Sequence, residues 1–159
     1  TSDLPLKLRF NEMKYRVMKN VVAMLNSEGG EILIGINDDR TLRGIDNERD
    51  GLARYAARNG EKAEPDDLYL QIFDQMIVRY IGKSTLKYVK PRLWTYQKRT
   101  ILIIQVHASP EAASLKIGKD GSILAQSEYW IRGNSGDRRV SPNALGEVQN
   151  VATKWNYKR

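Results

Sequence analysis

The first apolar pattern along the chain has the spacing of one helical face. Met13, Val17 and Val21 lie four residues apart, so a helix would place their side chains on the same side. Gly29-Gly30 suits the end of such a helix, because glycine readily adopts the left-handed conformation beyond the last turn. The pattern therefore predicts a helix over residues 12–26.

The next segment indicates a strand, a turn and a return. The compact apolar run Glu31–Ile36 predicts a buried strand, Asn37–Arg40 a turn, and Thr41–Ile45 a short second strand that pairs back. Residues 46–65 are polar and contain glycine and proline, which predicts a long surface loop with a helical piece at about 52–57.

Helical and strand patterns alternate in the rest of the chain. The predicted elements are a helix from Asp66 or Asp67 to about Gly82, strands over 90–96 and 100–106 around a turn at 97–99, a polar loop over 109–126, a strand over 128–132, and a short helix from Ser141-Pro142 to residue 152 or 155. This order predicts an α+β fold with a mixed or antiparallel sheet and flanking helices. Because we find no repeat, low-complexity tract or linker, residues 1–159 are predicted to form a single domain.

Composition excludes several classes of site. The chain has no cysteine and a single histidine, which excludes disulfides, cysteine-based zinc sites, thiol nucleophiles and multi-histidine metal sites. The apolar runs are strand-sized and no apolar leader opens the chain, so we expect no membrane partner and no secretory signal. The cytoplasm is the expected compartment.

The net charge of +7 is unevenly distributed along the chain. Residues 1–78 carry 11 basic and 14 acidic side chains, whereas residues 79–159 carry 15 basic and 5 acidic ones. A basic surplus in one half favours an anionic partner, and nucleic acid is a common one for a soluble basic domain. A solvated basic surface without a partner explains the same surplus.

The segment after the last predicted strand has the residue types of a phosphate-binding loop. Glycines let a phosphate approach the backbone, arginine side chains bind its oxygens, and an exposed aromatic ring can stack on a base. The alternative is a basic hairpin loop in which Tyr129 or Trp130 fills the core. The candidate nucleic-acid-binding residues are Arg132, Asn134, Ser135, Arg138 and Arg139, with Lys98 and Arg99 at the earlier predicted turn.

Two adjacent acids follow the first predicted strand. Asp38 and Asp39 could hold a divalent cation, since paired carboxylates at a strand end recur in metal sites. Aspartate is equally typical of tight turns, where it hydrogen-bonds its own backbone.

Two ordered blocks of the sequence resemble the Schlafen AlbA-like domain family. The first runs from Val21 through Leu25-Asn-Ser-Glu-Gly-Gly30 and Ile34-Gly-Ile-Asn-Asp-Asp39 to Gly44-Ile45. The second, from Glu128 to Ser135, is similar to the family's Tyr-x-Arg-x-Gly-Asn-Ser-Thr stretch, although two residues separate Tyr129 from Arg132. The resemblance spans about residues 9–155.

The resemblance implies an α+β domain that binds nucleic acid, DNA or RNA, without requiring a cofactor. Some eukaryotic members of the family are metal-dependent endoribonucleases. For such an activity it implies Asp38 as a ligand of Mg²⁺ or Mn²⁺, with Asp39 beside it and Asp3 or Glu12 as the other acid. A third interpretation is a protein-interaction or oligomerisation module of a larger regulator. The resemblance also allows a homodimer and additional domains in the full-length protein.

Overall fold

The computed structural model describes residues 3–140, with side chains from residue 14 onward. Its elements are α1 (Asp3–Leu25), β1 (Gly30–Ile34), α2 (Asp46–Arg58), α3 (Pro65–Tyr80), a 3₁₀ helix (Lys83–Tyr88), β2 (Val89–Tyr96), β3 (Arg99–Val106), β4 (Leu115–Ile117), β5 (Ile123–Gly133) and β6 (Gly136–Val140). The strands form two three-stranded sheets, in the orders β1-β3-β2 and β4-β5-β6. The predicted α+β class is confirmed, and the helix predicted from Ser141-Pro142 lies outside the described residues.

The chain divides into two compact units, each built from separate segments. The first unit comprises Thr1–Gly30, Ile77–Val89 and Val106–Arg159, and the second comprises Glu31–Met76 and Lys90–Gln105. The first contains α1 with the β4-β5-β6 sheet, and the second contains α2 and nearly all of the β1-β3-β2 sheet. In the described part of the chain, no helix is long and apolar enough to span a membrane.

In the first unit, α1 packs against β4, β5 and β6. Its buried side chains include Met18, Val21 and Leu25, and this apolar stripe explains why the segment folds as a helix against the sheet. The turn that follows the helix ends at Gly29, whose φ of +78° is in the left-handed region and whose amide donates to the Met24 carbonyl at 2.9 Å. A Cβ there would collide with the backbone at residues 106–108, so the position requires glycine.

The second unit is organised around β3, the central strand of its sheet. Residues 100–104 are all buried, as expected for a strand that is covered on both faces. The turn between β2 and β3 consists of Gln97 and Lys98, with φ of +50° and +64°. Two successive positive φ angles are typical of a type I′ turn, which joins the two strands as a tight hairpin.

Residues 46–65 differ from the predicted loop, because Asp46–Arg58 forms helix α2. Within α2 only Ala56 is buried, so no apolar stripe marks the helix in the sequence. Its stabilising contacts come instead from Arg49. The Nη1 of this residue donates to Asp66 Oδ1 at 2.9 Å and to Thr100 Oγ1 at 3.2 Å.

Three shorter segments also differ from the sequence-based expectation. The predicted strand Thr41–Ile45 is reduced to a single bridge between Ile36 and Leu42, because the amides of Arg43 and Gly44 both bond the Gly35 carbonyl. The predicted loop over 109–126 contains β4 and the beginning of β5. The predicted loop after Gly133 is instead strand β6, paired with β5.

Candidate nucleic-acid interface

The candidate arginines lie on the β5–β6 hairpin of the first unit. The two strands are antiparallel and pair Tyr129 with Val140, Trp130 with Arg139, Ile131 with Arg138, Arg132 with Asp137, and Gly133 with Gly136. Asn134 and Ser135 are the exposed two-residue turn at the tip. The predicted Arg132–Arg139 loop is therefore a β-hairpin, because residues 136–140 form a strand that pairs with residues 129–133.

The register places the three arginines on two faces of the hairpin. Directly paired residues share a face, and neighbours along a strand alternate. Arg132 and Arg139 therefore lie on one face, with Trp130, and Arg138 lies on the other, with Ile131. The hairpin carries cationic side chains on both sides.

Each face is also attached to the rest of the unit. On the Arg138 face, Ile131 and Val140 are buried in a small apolar cluster with Tyr129 and Ala112 packed against it. On the other face, the Lys19 ammonium of α1 lies 5.0 Å from the centroid of the Trp130 ring, a cation–π distance. Neither aromatic residue at the start of the hairpin is left fully exposed.

Two of the arginines lie beside carboxylates of the same face. Arg139 Nη1 is 3.3 Å from Glu128 Oε2, and Arg132 Nε is 3.7 Å from Asp137 Oδ1. The acid side chains are only 13% and 8% exposed, whereas the arginine side chains are 56% and 46% exposed. A guanidinium has five N–H donors, so each of these arginines retains donors for an external anion.

Burial perturbs one of these carboxylates. It raises the pKa of Asp137 above its ordinary value, although the charges of Arg132 and Lys19 act in the opposite direction. The attraction of Arg132 and Lys19 therefore does not fully offset the cost of burying the Asp137 carboxylate.

The end of α1 fixes the position of this hairpin. The buried Asn26 donates from Nδ2 to the carbonyls of Ala113 at 2.8 Å and Trp130 at 2.9 Å, and its Oδ1 accepts from the Ala113 amide at 2.7 Å. The next residue, Ser27, accepts from the Arg132 amide through Oγ at 2.9 Å. Asn26 and Ser27 were not among the predicted site residues, although they form the Asn-Ser pair between the first helix and Gly29-Gly30.

Lys98 and Arg99 belong to the second unit, at and just after the β2–β3 turn. Arg99 Nη1 donates to the Arg43 carbonyl at 3.1 Å. These two residues are therefore part of a different hairpin from Arg132, Arg138 and Arg139, and their role in binding stays a prediction.

Asp39 forms a turn with Thr41. Its Oδ1 accepts from the Thr41 amide at 3.0 Å and from the Thr41 hydroxyl at 2.5 Å. These two hydrogen bonds hold the pKa of Asp39 below its ordinary value, and the bond from the Thr41 hydroxyl has the larger effect. This is the local hydrogen bonding that makes aspartate common in tight turns.

The predicted metal site is not completed by the described residues. Asp38 is exposed, and among residues 14–140 no three histidine or acidic side chains come together in a way that would hold a metal ion. The side chains of Asp3 and Glu12 lie outside the described residues. Mg²⁺ is usually held by one or two carboxylates together with water and substrate phosphates, so the role of Asp38 and Asp39 as metal ligands stays a prediction.

The charge of the chain is also unevenly distributed between the two units. The segments of the first unit carry 16 basic and 8 acidic side chains, and those of the second carry 10 and 11. The first unit thus has a net charge of +8 and the second of −1, which together give the +7 of the chain. The hairpin belongs to the unit that carries the positive charge.

Comparison with known proteins identifies a family and a fold. Residues 1–141 match the family model described as Schlafen, AlbA_2, and the match includes segments of both units. The crystal structure of the DIP2311 protein from Corynebacterium diphtheriae is similar with a TM-score of 0.52 and 17% identity, over 90% of this chain and 23% of that one. This chain therefore spans about a quarter of the length of that protein, and the likeness supports the fold alone. No curated protein matches the chain.

Proposed function

Because the chain belongs to the Schlafen, AlbA_2 family, we propose that it is a nucleic-acid-binding domain whose β5–β6 hairpin contacts phosphates. The observation that carries the proposal is the hairpin itself, with an exposed tip and exposed arginines on both faces. Arginine binds phosphate oxygens through paired N–H donors, and such contacts position a protein on nucleic acid without reading its sequence.

The surroundings of the hairpin support this role. The net charge of +8 on the first unit raises the local concentration of a polyanion, and this attraction weakens with salt. Asn26 and Ser27 hold the backbone of β5 at Trp130 and Arg132, so the arginines project from a fixed strand. A fixed arginine loses less conformational entropy on binding than one on a mobile loop.

The neighbouring acids limit the strength of the interaction. Glu128 and Asp137 offset part of the charge of Arg139 and Arg132, so the five charged side chains of the hairpin sum to +1. We therefore expect the hairpin to contribute a few phosphate contacts, and the remaining basic side chains of the first unit to supply longer-range attraction.

The test is a titration of labelled duplex DNA and folded tRNA by fluorescence anisotropy, at about 50 and 200 mM salt and in EDTA. The variant Arg132→Ala with Arg138→Ala should bind both polymers more weakly, and the slope of log affinity against log salt should fall by about two. The matched control is Arg54→Ala with Arg58→Ala, which removes two exposed arginines from α2 of the second unit. Equal affinities for wild type and the hairpin variant would refute the assigned surface.

The same titrations address the two alternative interpretations. Repeating them in Mn²⁺ with time tests the nuclease activity that the resemblance implies, and Asp38→Asn should then abolish cleavage without weakening binding. A concentration-dependent mass combined with no affinity for either polymer would favour the interaction module.

A further inference from the structure

Strand β2 in the second unit exposes two large aromatic side chains. Trp94 is 47% exposed and Tyr96 is 49% exposed. Their ring centroids are 5.4 Å apart and their planes are inclined by 10°, so the rings stack on each other. A stacked pair of half-exposed rings is a preformed apolar surface of the kind that marks interaction sites.

The two rings share their face of β2 with two cations. The Thr95 hydroxyl lies 3.1 Å from the Thr100 hydroxyl, so Thr95 points to the face that carries Thr100 and the rings point to the other. By the same alternation, Lys90 and Arg92 lie on the ring face, and both are exposed. We define Lys90, Arg92, Trp94 and Tyr96 as the β2 platform.

We propose that the β2 platform binds single-stranded nucleic acid, with unpaired bases stacking on Trp94 and Tyr96 and phosphates paired with Lys90 and Arg92. The inference rests on the proposed function, and it names unpaired strands as the substrate class. Base–aromatic stacking beside a cationic groove is the general chemistry by which proteins hold single strands. A duplex offers only the terminal faces of its stacked bases, so it would not use this surface.

Charge favours a polyanion over other occupants. The segment Lys90–Gln105 of the second unit contains four lysine or arginine side chains and no acid. Asp74 interacts with Lys90, at the end of the platform that is distant from the rings. The rings and Arg92 therefore lie in a chain segment that has no acid of its own.

A second protein strand is a poorer occupant. β2 is an outer strand of its sheet in the described part of the chain, so another strand would have to pair along its edge. Pro91 has no N–H to donate, and the cations on either side of it, Lys90 and Arg92, repel a like edge. These features protect the edge while leaving the face of the strand accessible.

The experiment measures the affinity of the full chain for labelled 12-nucleotide oligo(dT) and oligo(U), with a 12-base-pair duplex as reference. Trp94→Ala with Tyr96→Ala should weaken single-strand binding by about 5-fold or more for each ring, and leave duplex binding within about twofold. Trp94→Phe with Tyr96→Phe keeps the stacking surface and should retain single-strand affinity within about twofold. Tyr55→Ala, which removes an exposed ring from α2, is the matched control.

The outcomes separate this inference from the proposed function. Binding of all polymers by wild type, with no loss in the alanine variant, overturns the platform and leaves the proposed function standing. An absence of binding to every polymer overturns both. A concentration-dependent mass that the alanine variant abolishes, without any change in oligonucleotide affinity, assigns the face to self-association and overturns the inference. Circular dichroism of each variant, with the phenylalanine pair as reference, distinguishes lost stacking from lost folding.

Discussion

Replacing Asn26 by alanine tests whether one buried amide holds the hairpin to α1. Asn26 has no exposed surface, and its side chain makes three hydrogen bonds, two to Ala113 and one to Trp130. The substitution removes all three bonds and leaves one N–H and two carbonyl groups without this partner.

The expected cost follows from these bonds. A hydrogen bond contributes about 1 kcal/mol net, and a buried polar group left unsatisfied costs about 1–3 kcal/mol. Three bonds therefore give a loss of about 3–5 kcal/mol for Asn26→Ala. Typical domains have an unfolding free energy of about 5–15 kcal/mol, so this is a large fraction of the total.

The assay is urea denaturation followed by circular dichroism, together with hydrogen exchange of the Ala113 amide. Asn59→Ala is the control, because the Asn59 side chain bonds the Tyr55 carbonyl at an exposed position and its loss should change stability by about 0.5 kcal/mol at most. Asn26→Ala should also accelerate exchange of the Ala113 amide. A loss below about 1 kcal/mol with unchanged exchange would refute the reasoning.

Asn26→Asp sharpens the same test. Aspartate keeps an acceptor for the Ala113 amide but presents a buried carboxylate oxygen to the carbonyls of Ala113 and Trp130. Burial raises the pKa of such a group, so its protonated form can fold at a lower cost than its charged form. The variant should therefore lose more stability at pH 7 than at about pH 4, where more of the new carboxyl is protonated.

Three further predictions concern the charged groups. Burial raises the pKa of Asp137 in the folded protein. The buried carboxyl therefore does not destabilise the fold at a pH below its ordinary pKa, and it destabilises the fold once the pH rises above the pKa that it has in the folded protein. Asp137→Asn should therefore raise the melting temperature at pH 7, with the gain vanishing below about pH 3; a lower melting temperature at pH 7 would mean that Arg132 and Lys19 outweigh burial. Arg49→Met should cost about 2 kcal/mol in urea denaturation, because Arg49 contacts three acids and Thr100, whereas the exposed Arg54→Met should cost little. Thr41→Val should raise the pKa of Asp39 towards its ordinary value in a carboxyl NMR titration, and an unchanged pKa would contradict the assigned turn.

Elements with their own apolar pattern could be predicted from sequence. The apolar run of β3 and the helical spacing in α3 gave positions that agree with the structure within one or two residues at each end. The Gly29-Gly30 break likewise marked the end of α1. In these segments, local preference and burial favour the same conformation.

Elements that depend on distant partners could not be predicted. α2 buries only Ala56 and is stabilised through Arg49 by Asp66 and Thr100, which lie 17 and 51 residues away in sequence. Likewise, Gly133-Asn-Ser-Gly136 indicates a loop, whereas the pairing of Arg138 and Arg139 with β5 depends on the register of the whole hairpin.

The same dependence on distant partners explains why only part of the candidate site could be predicted from the sequence. Residue chemistry indicated the arginines, but their division between two faces follows only from the β5–β6 register. The acids beside them, Glu128 and Asp137, have no sequence signal that marks them as partners. Asn26 and Ser27 reach β5 from 104 and 105 residues away, a separation that no local pattern reveals.

Because the two units are interleaved in the sequence, they are completed in a fixed order as the chain is synthesised. The chain passes between the units four times, and the second unit is complete once residue 105 has been made. Asn26, in contrast, is synthesised 87 residues before Ala113 and 104 residues before Trp130. At about 5–20 residues per second, the ribosome needs roughly 5–20 s to produce the second of these partners. During that interval the apolar stripe of α1 has no sheet to pack against. The nascent chain is therefore exposed to chaperones and to aggregation before the β5–β6 hairpin has been made.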